Sequence, residues 1–113
     1  MKVEILMAVK SANAIKNWKN RYRYTAYRNK WYGVLALYLP MKKARPTTKV
    51  KVKIVSVRAR YLDSGNFVAG CKPILDALKK RNYIFDDSPR WISDSYEQVI
   101  DSKNQRTIIT IEG

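Results

Sequence analysis

Asp63, in the stretch YLDSGNF (61–67), is the first aspartate of a chain whose first 62 residues hold sixteen Lys and Arg but a single acid, Glu4. A second acidic point, Asp86 with Asp87, lies further on. Between them stand Lys72 and Asp76, four residues apart, a spacing that lets two side chains meet on one face of a helix. Carboxylates converging from two loops repel one another unless a cation lies between them, and such hard oxygen ligands suit Mg²⁺ or Mn²⁺. In a strongly cationic surrounding this is what metal-assisted phosphodiester hydrolysis requires. Each piece also has an ordinary explanation. Asp63 is a suitable helix N-cap, Asp86 and Asp87 before Ser88 and Pro89 suit a solvated turn, and Lys72 with Asp76 suits a surface ion pair of roughly 0.3–0.5 kcal/mol.

The chain contains no histidine. That removes Ser–His and Cys–His nucleophiles, Cys/His zinc sites and nuclease mechanisms with a histidine base, and leaves Asp, Glu, Lys, Tyr or a metal. The formal charge of +14 is placed unevenly, because residues 63–113 carry 7 basic and 8 acidic residues and are close to neutral. The preceding part is therefore a strongly positive body, and its natural partner is a polyanion, nucleic acid above all. Arg21, Arg23, Arg28 and Lys30 are phosphate-contact candidates on the exposed side of an N-terminal helix, joined by Arg58 and Arg60 at the end of a strand.

The elements that must position these residues follow from hydrophobic periodicity. Val3 to Ala8 suits a short buried strand. Tyr24, Tyr27, Trp31, Leu35 and Tyr38 recur at helical spacing, a pattern expected of a buried face rather than a base-stacking platform, and Pro40 ends that helix. Lys42 to Thr48 is a basic loop. Val50, Val52 and Ile54 alternate with lysines as a half-exposed strand does, but from Val55 the phase slips, which implies a bulge or a strand covered on both sides. Asn66 to Lys80 has a second helical pattern, with Pro73 demanding a kink or a start near Gly70. Ile92 to Ile100 and Thr107 to Glu112 read as strands joined as a hairpin across SKNQ. Length and 46% apolar content fit one α+β domain spanning residues 1–113. The lone Cys71 can form no internal disulfide, the N-terminal apolar run is too short for a signal peptide, and no run reaches the ~20 residues of a membrane span. The expectation is a soluble, cytoplasmic protein.

The run RARYLDSGNFVAGCKPILDALKKRNYIFDDSPRWI (58–92) resembles the RusA family of Holliday junction resolvases, small endonucleases common in phages and prophages. The family pattern is an Arg-rich strand ending in Asp-x-Asp-Asn, a helix with Lys followed four residues later by Asp-Ala-Leu, and an Asp-Asp turn. Asp63, Asn66, Lys72, Asp76, Ala77, Leu78, Asp86 and Asp87 fall on it. The resemblance implies a small mixed sheet with two main helices, a homodimer, and Mg²⁺-dependent cleavage of branched DNA by paired nicks, in DNA recombination and repair. Mn²⁺ is an alternative ion, with no small-molecule cofactor. It implies Asp63 and Asp87 as metal ligands, Asp86 as a further ligand or neighbour, and Lys72 beside the scissile phosphate. Asn66 keeps the pattern next to Asp63, and Asp76 would orient Lys72, since an unbroken helix from Asn66 would carry it ~15 Å along the axis. The departure is Gly65, which stands where the family usually has a second acid. The alternative is therefore a branched-DNA-binding protein that does not cut.

Overall fold

The computed structural model describes residues 1–11 and 21–113, and within the first helix nothing is described of the side chains of residues 21–23. The elements run β1 (Lys2–Ile5), α1 (Arg21–Tyr38), β2 (Val50–Arg58), α2 (Ser64–Gly70), α3 (Lys72–Lys80), β3 (Ile92–Ile100) and β4 (Arg106–Glu112). The strands form one mixed sheet in the order β1-β4-β2-β3, with β2 parallel to β3 and antiparallel to β4. This is an α+β domain with its helices packed on one face of the sheet. No helix among the described residues is long and apolar enough to cross a membrane.

The core forms where the helical stripe meets the inward face of β2. Tyr27, Trp31 and Leu35, spaced to share one side of α1, are buried, as are Val50, Val52 and Ile54. Tyr24 and Tyr38, at the ends of the stripe, are not. The lysines of β2 face the other way, and Lys51 and Lys53 are exposed. The phase slip in β2 is not a bulge, because its pairing with β3 runs unbroken from Val50↔Ile92 to Arg58↔Ile100. Instead the strand becomes covered on both sides: Ser56 on the core side and Val57 on the other are both buried.

One expectation is met and another corrected. The second helical pattern is interrupted at its proline, as Pro73 implies. It starts at Ser64, ends at Gly70 and resumes at Lys72, with Cys71 as the joint and Pro73 in the first turn of α3. A proline ring clashes with the carbonyl four residues earlier in a continuous helix, so the break belongs just before it. The last two strands do not form a hairpin, because β2 lies between them. Their connection passes over the end of β2, where Asp101 N–H donates to the Arg58 carbonyl at 2.9 Å. It is drawn tight by the Asp101 carboxylate, which accepts from Lys103 N–H at 3.1 Å and from Asn104 Nδ2 at 3.1 Å. Two strand spacings are about 10 Å, a distance five residues cover easily.

Candidate functional site

Asp63 is delivered by an irregular segment after β2, held in place from the neighbouring strand. Gln98 of β3 accepts a hydrogen bond from Leu62 N–H at 2.8 Å and donates one to the Leu62 carbonyl at 3.0 Å. Asp63 then caps α2, its Oδ2 accepting from Asn66 N–H at 3.3 Å. The capping role expected of Asp63 is thus present, and its carboxylate is exposed. Asn66 supplies that backbone N–H and is half-buried.

Lys72 opens α3 and gathers two acids. Its Nζ lies 3.0 Å from Asp87 Oδ2 and 3.6 Å from Asp76 Oδ1. Asp76 comes from the next turn of the same helix, whereas Asp87 comes from the turn before β3, fifteen residues away in sequence. The hydrogen bond to Asp87, then the nearby Asp76 charge, raise the Lys72 pKa against the opposing effect of burial. The ammonium is therefore retained at neutral pH, and the side chain acts as a positive charge rather than a base. Asp86 points elsewhere: its Oδ1 lies 3.0 Å from Lys79 Nζ, and that hydrogen bond, followed by one from the backbone of Asp87, lowers its pKa. The adjacent acids are thus divided between two lysines of one helix.

The basic candidates separate into different surroundings. Arg58 is half-buried and tied to the chain: Nη1 donates to the Val9 carbonyl at 2.9 Å and to Ser56 Oγ at 3.2 Å, and Nε to the Arg60 carbonyl at 2.8 Å. Burial lowers its pKa. This guanidinium braces the end of β2 against the segment after β1. Arg60 is exposed beside it. On α1, Arg28 lies over the Tyr32 ring, 5.7 Å from its centroid, with Nε buried and without a hydrogen-bond partner among the described residues. Tyr32 also carries Lys80 at 4.7 Å and lies within electrostatic reach of Asp76 and Lys72, so this face of α1 borders the Lys72 group. Lys30 is exposed and lines a groove with Leu6, Leu37 and Tyr38. The side chains of Arg21 and Arg23 lie outside the described residues.

Gln98 and Lys79 are not candidates on sequence alone, nor is Tyr96, whose hydroxyl donates to Asp94 Oδ2 at 2.6 Å while its ring meets Phe67 edge-on at 6.2 Å. A glutamine in a strand carries no signal until its neighbour is known. Its importance is measurable. Gln98→Leu, which removes both bonds to Leu62, is expected to cost about 1–2 kcal/mol in urea unfolding and to speed amide exchange at Leu62. A leucine variant indistinguishable from the parent in both measurements would show that Asp63 is positioned by something else.

Among the described residues, no group of three or more Asp, Glu, Cys or His side chains is placed to hold a metal ion. Mg²⁺ rarely uses an all-protein cage; one or two carboxylates with water and substrate phosphate are its usual shell. Asp63 and Asp87 supply that class of donor. A Cβ added at Gly65 would lie 3.3 Å from Asp63 Oδ2, so a side chain at this position would stand directly beside that carboxylate. No protein-family model matches the chain, and no curated protein matches it significantly.

Proposed function

We propose that this protein is a metal-dependent, structure-selective DNA endonuclease of the RusA type, which nicks four-way junctions or related branched DNA and works as a homodimer. The observation that supports it best is the Lys72 ammonium held 3.0 Å from Asp87 and 3.6 Å from Asp76. Three residues that the sequence pattern singles out for one site meet there, although one of them comes from a different element. Asp63 and Asp87 would hold the ion together with water and a phosphate oxygen. When bound, such an ion supplies Lewis-acid stabilisation and an activated water. The residues of the chain bind and orient: Lys72 meets the phosphate as a fixed charge, Asp76 aims Lys72, and Arg60, Arg28 and Lys30 draw in the backbone. A two-fold dimer provides the two equivalent sites that paired nicks need. The face of the sheet opposite the core, where Val55 and Ile108 are half-buried beside Lys53 and Glu97, would be the surface offered to a second copy.

A second function is favoured by Gly65 and by Lys79 and Lys72 holding Asp86 and Asp87: a branched-DNA-binding protein that does not cut. The two are separated by incubating a synthetic four-way junction with the protein and Mg²⁺ or Mn²⁺. Paired nicks abolished by EDTA support the endonuclease. Salt-sensitive junction binding without any cleavage supports the second function and ends the first.

A further inference from the structure

The turn that carries Asp86 and Asp87 is closed at its base by two aromatic rings. Phe85 and Trp91 lie with centroids 4.1 Å apart and planes inclined by 31°. Cations flank this pair and its neighbour: Arg45 lies 5.9 Å from the Phe85 centroid, Arg90 5.3 Å from Trp91, and Lys42 4.8 Å from Tyr83. Lys42 and Arg45 belong to the loop after α1, which docks on the C-terminal end of α3. Lys42 N–H donates to the Arg81 carbonyl at 3.1 Å, Asn82 Nδ2 donates to the Lys42 carbonyl at 2.8 Å, and Arg45 Nε donates to Asn82 Oδ1 at 3.3 Å. Asn82 has φ of 65°, the left-handed conformation that asparagine tolerates just past a helix end.

We propose that this shelf of Phe85 and Trp91 with Arg45 and Arg90 is a stacking platform for an unpaired nucleotide of the DNA strand that reaches the Asp86–Asp87 turn. A pair that merely closed a turn would bury its rings, and one cation over a ring would stabilise it without a group of cations lacking counter-charges. Here Phe85 remains 37% exposed. Among the described residues no carboxylate pairs with Lys42, Lys43, Arg45 or Arg90, since Asp86 and Asp87 are engaged by Lys79 and Lys72. Uncompensated cations interleaved with aromatic faces are the physical signature of a single-strand site, in which rings take bases and cations take the flanking phosphates. A duplex keeps its base faces stacked on one another, so the shelf selects an unpaired nucleotide, such as one at a branch point. Arg45 is exposed and held by one long hydrogen bond. With stacked planes about 3.4 Å apart, a displacement of roughly 1 Å would admit a base between its guanidinium and the Phe85 ring.

This inference deepens the DNA-cleaving function and rests on it only for the identity of the strand. Its test needs no cleavage: binding of a fluorescent oligothymidylate is compared with that of the same strand bearing central abasic sites, by anisotropy, without added metal. The parent protein is expected to prefer the strand with bases by about tenfold. Phe85→Leu, which keeps the turn apolar but removes the ring, should abolish the preference. Arg45→Ala with Arg90→Ala should weaken both strands and reduce the salt dependence, and should weaken the strand with bases more, because Arg45 also covers the stacked base. A parent protein indifferent to the missing bases overturns the proposal whether or not the variant folds, and so does a Phe85→Leu protein with an unchanged preference. A protein that prefers bases but never nicks a junction leaves the platform standing and removes the nuclease. One that nicks without the preference does the reverse.

Discussion

Gly70→Ala is expected to lower the unfolding free energy by about 3 kcal/mol, while the identical substitution at Gly33 raises it by about 0.5–1 kcal/mol. A methyl group at Gly70 would sit 1.9 Å from the Lys10 carbonyl oxygen and 3.1 Å from Val9 Cγ1. The first contact is with backbone, so no side-chain rotation relieves it, and the segment after β1 must move away from the end of α2. That movement would disturb a buried polar junction. The Tyr27 hydroxyl donates to the Gly70 carbonyl at 2.7 Å and accepts from Lys10 N–H at 3.0 Å, tying α1, α2 and the segment after β1 together. At Gly33, by contrast, an added methyl group would meet nothing within 4 Å, and the residue lies inside α1, where alanine is simply the better helix former. Thermal or urea unfolding of the two variants gives the answer by sign. A Gly70→Ala protein as stable as the parent would mean that Lys10 and Gly70 do not approach so closely in solution.

Neither glycine can be told from the other in the sequence, because each interrupts a helical pattern and only a distant contact separates them. The same division between local and distant information runs through the fold. The burial of Tyr27, Trp31 and Leu35 is written in their spacing, since one face of a helix recurs every three or four residues. The alternation of Val50, Val52 and Ile54 with lysines likewise fixes which side of β2 faces inward. What local pattern does not contain is the insertion of β2 between the last two strands. Proximity in sequence suggests a hairpin, but the apolar inward face of β2 gains a partner on each side by entering the middle of the sheet.

The candidate site divides in the same way. The i,i+4 contact of Lys72 with Asp76 follows from helix geometry alone, and the cap at Asp63 follows from its residue type ahead of a helix. The contact of Lys72 with Asp87 depends on how the turn before β3 folds back over the start of α3, and the bracing of Leu62 by Gln98 depends on β3 lying beside β2. Arg58 is different again. Its charge suggests a phosphate contact, and what its residue type does not disclose is that, at a strand end next to open carbonyls, it also braces the backbone.

Asp87→Asn and Lys72→Met are each expected to reduce metal-dependent nicking of a four-way junction by at least about a hundredfold, with little loss of stability. Lys72 is 58% exposed and Asp87 29% exposed at their side chains, and pairs of this kind contribute only about 0.2–1 kcal/mol. Folding therefore does not require them. The two variants should differ in junction binding without metal. Lys72→Met removes a cation from the DNA path and leaves Asp76 and Asp87 without their shared counter-charge, so binding weakens. Asp87→Asn removes a negative charge and releases the ammonium, so binding is kept or strengthened while cutting is lost. Gly65→Asp tests the missing acid directly. Its carboxylate would stand beside Asp63, where two negative charges repel until a divalent ion is present. Thermal stability should then rise with added Mg²⁺ more steeply than in the parent protein, and nicking should increase if the second acid is what limits the metal. Cleavage undiminished in Asp87→Asn would remove Asp87 from the site, and a Gly65→Asp protein with no added response to Mg²⁺ would show that no ion is held between positions 63 and 65.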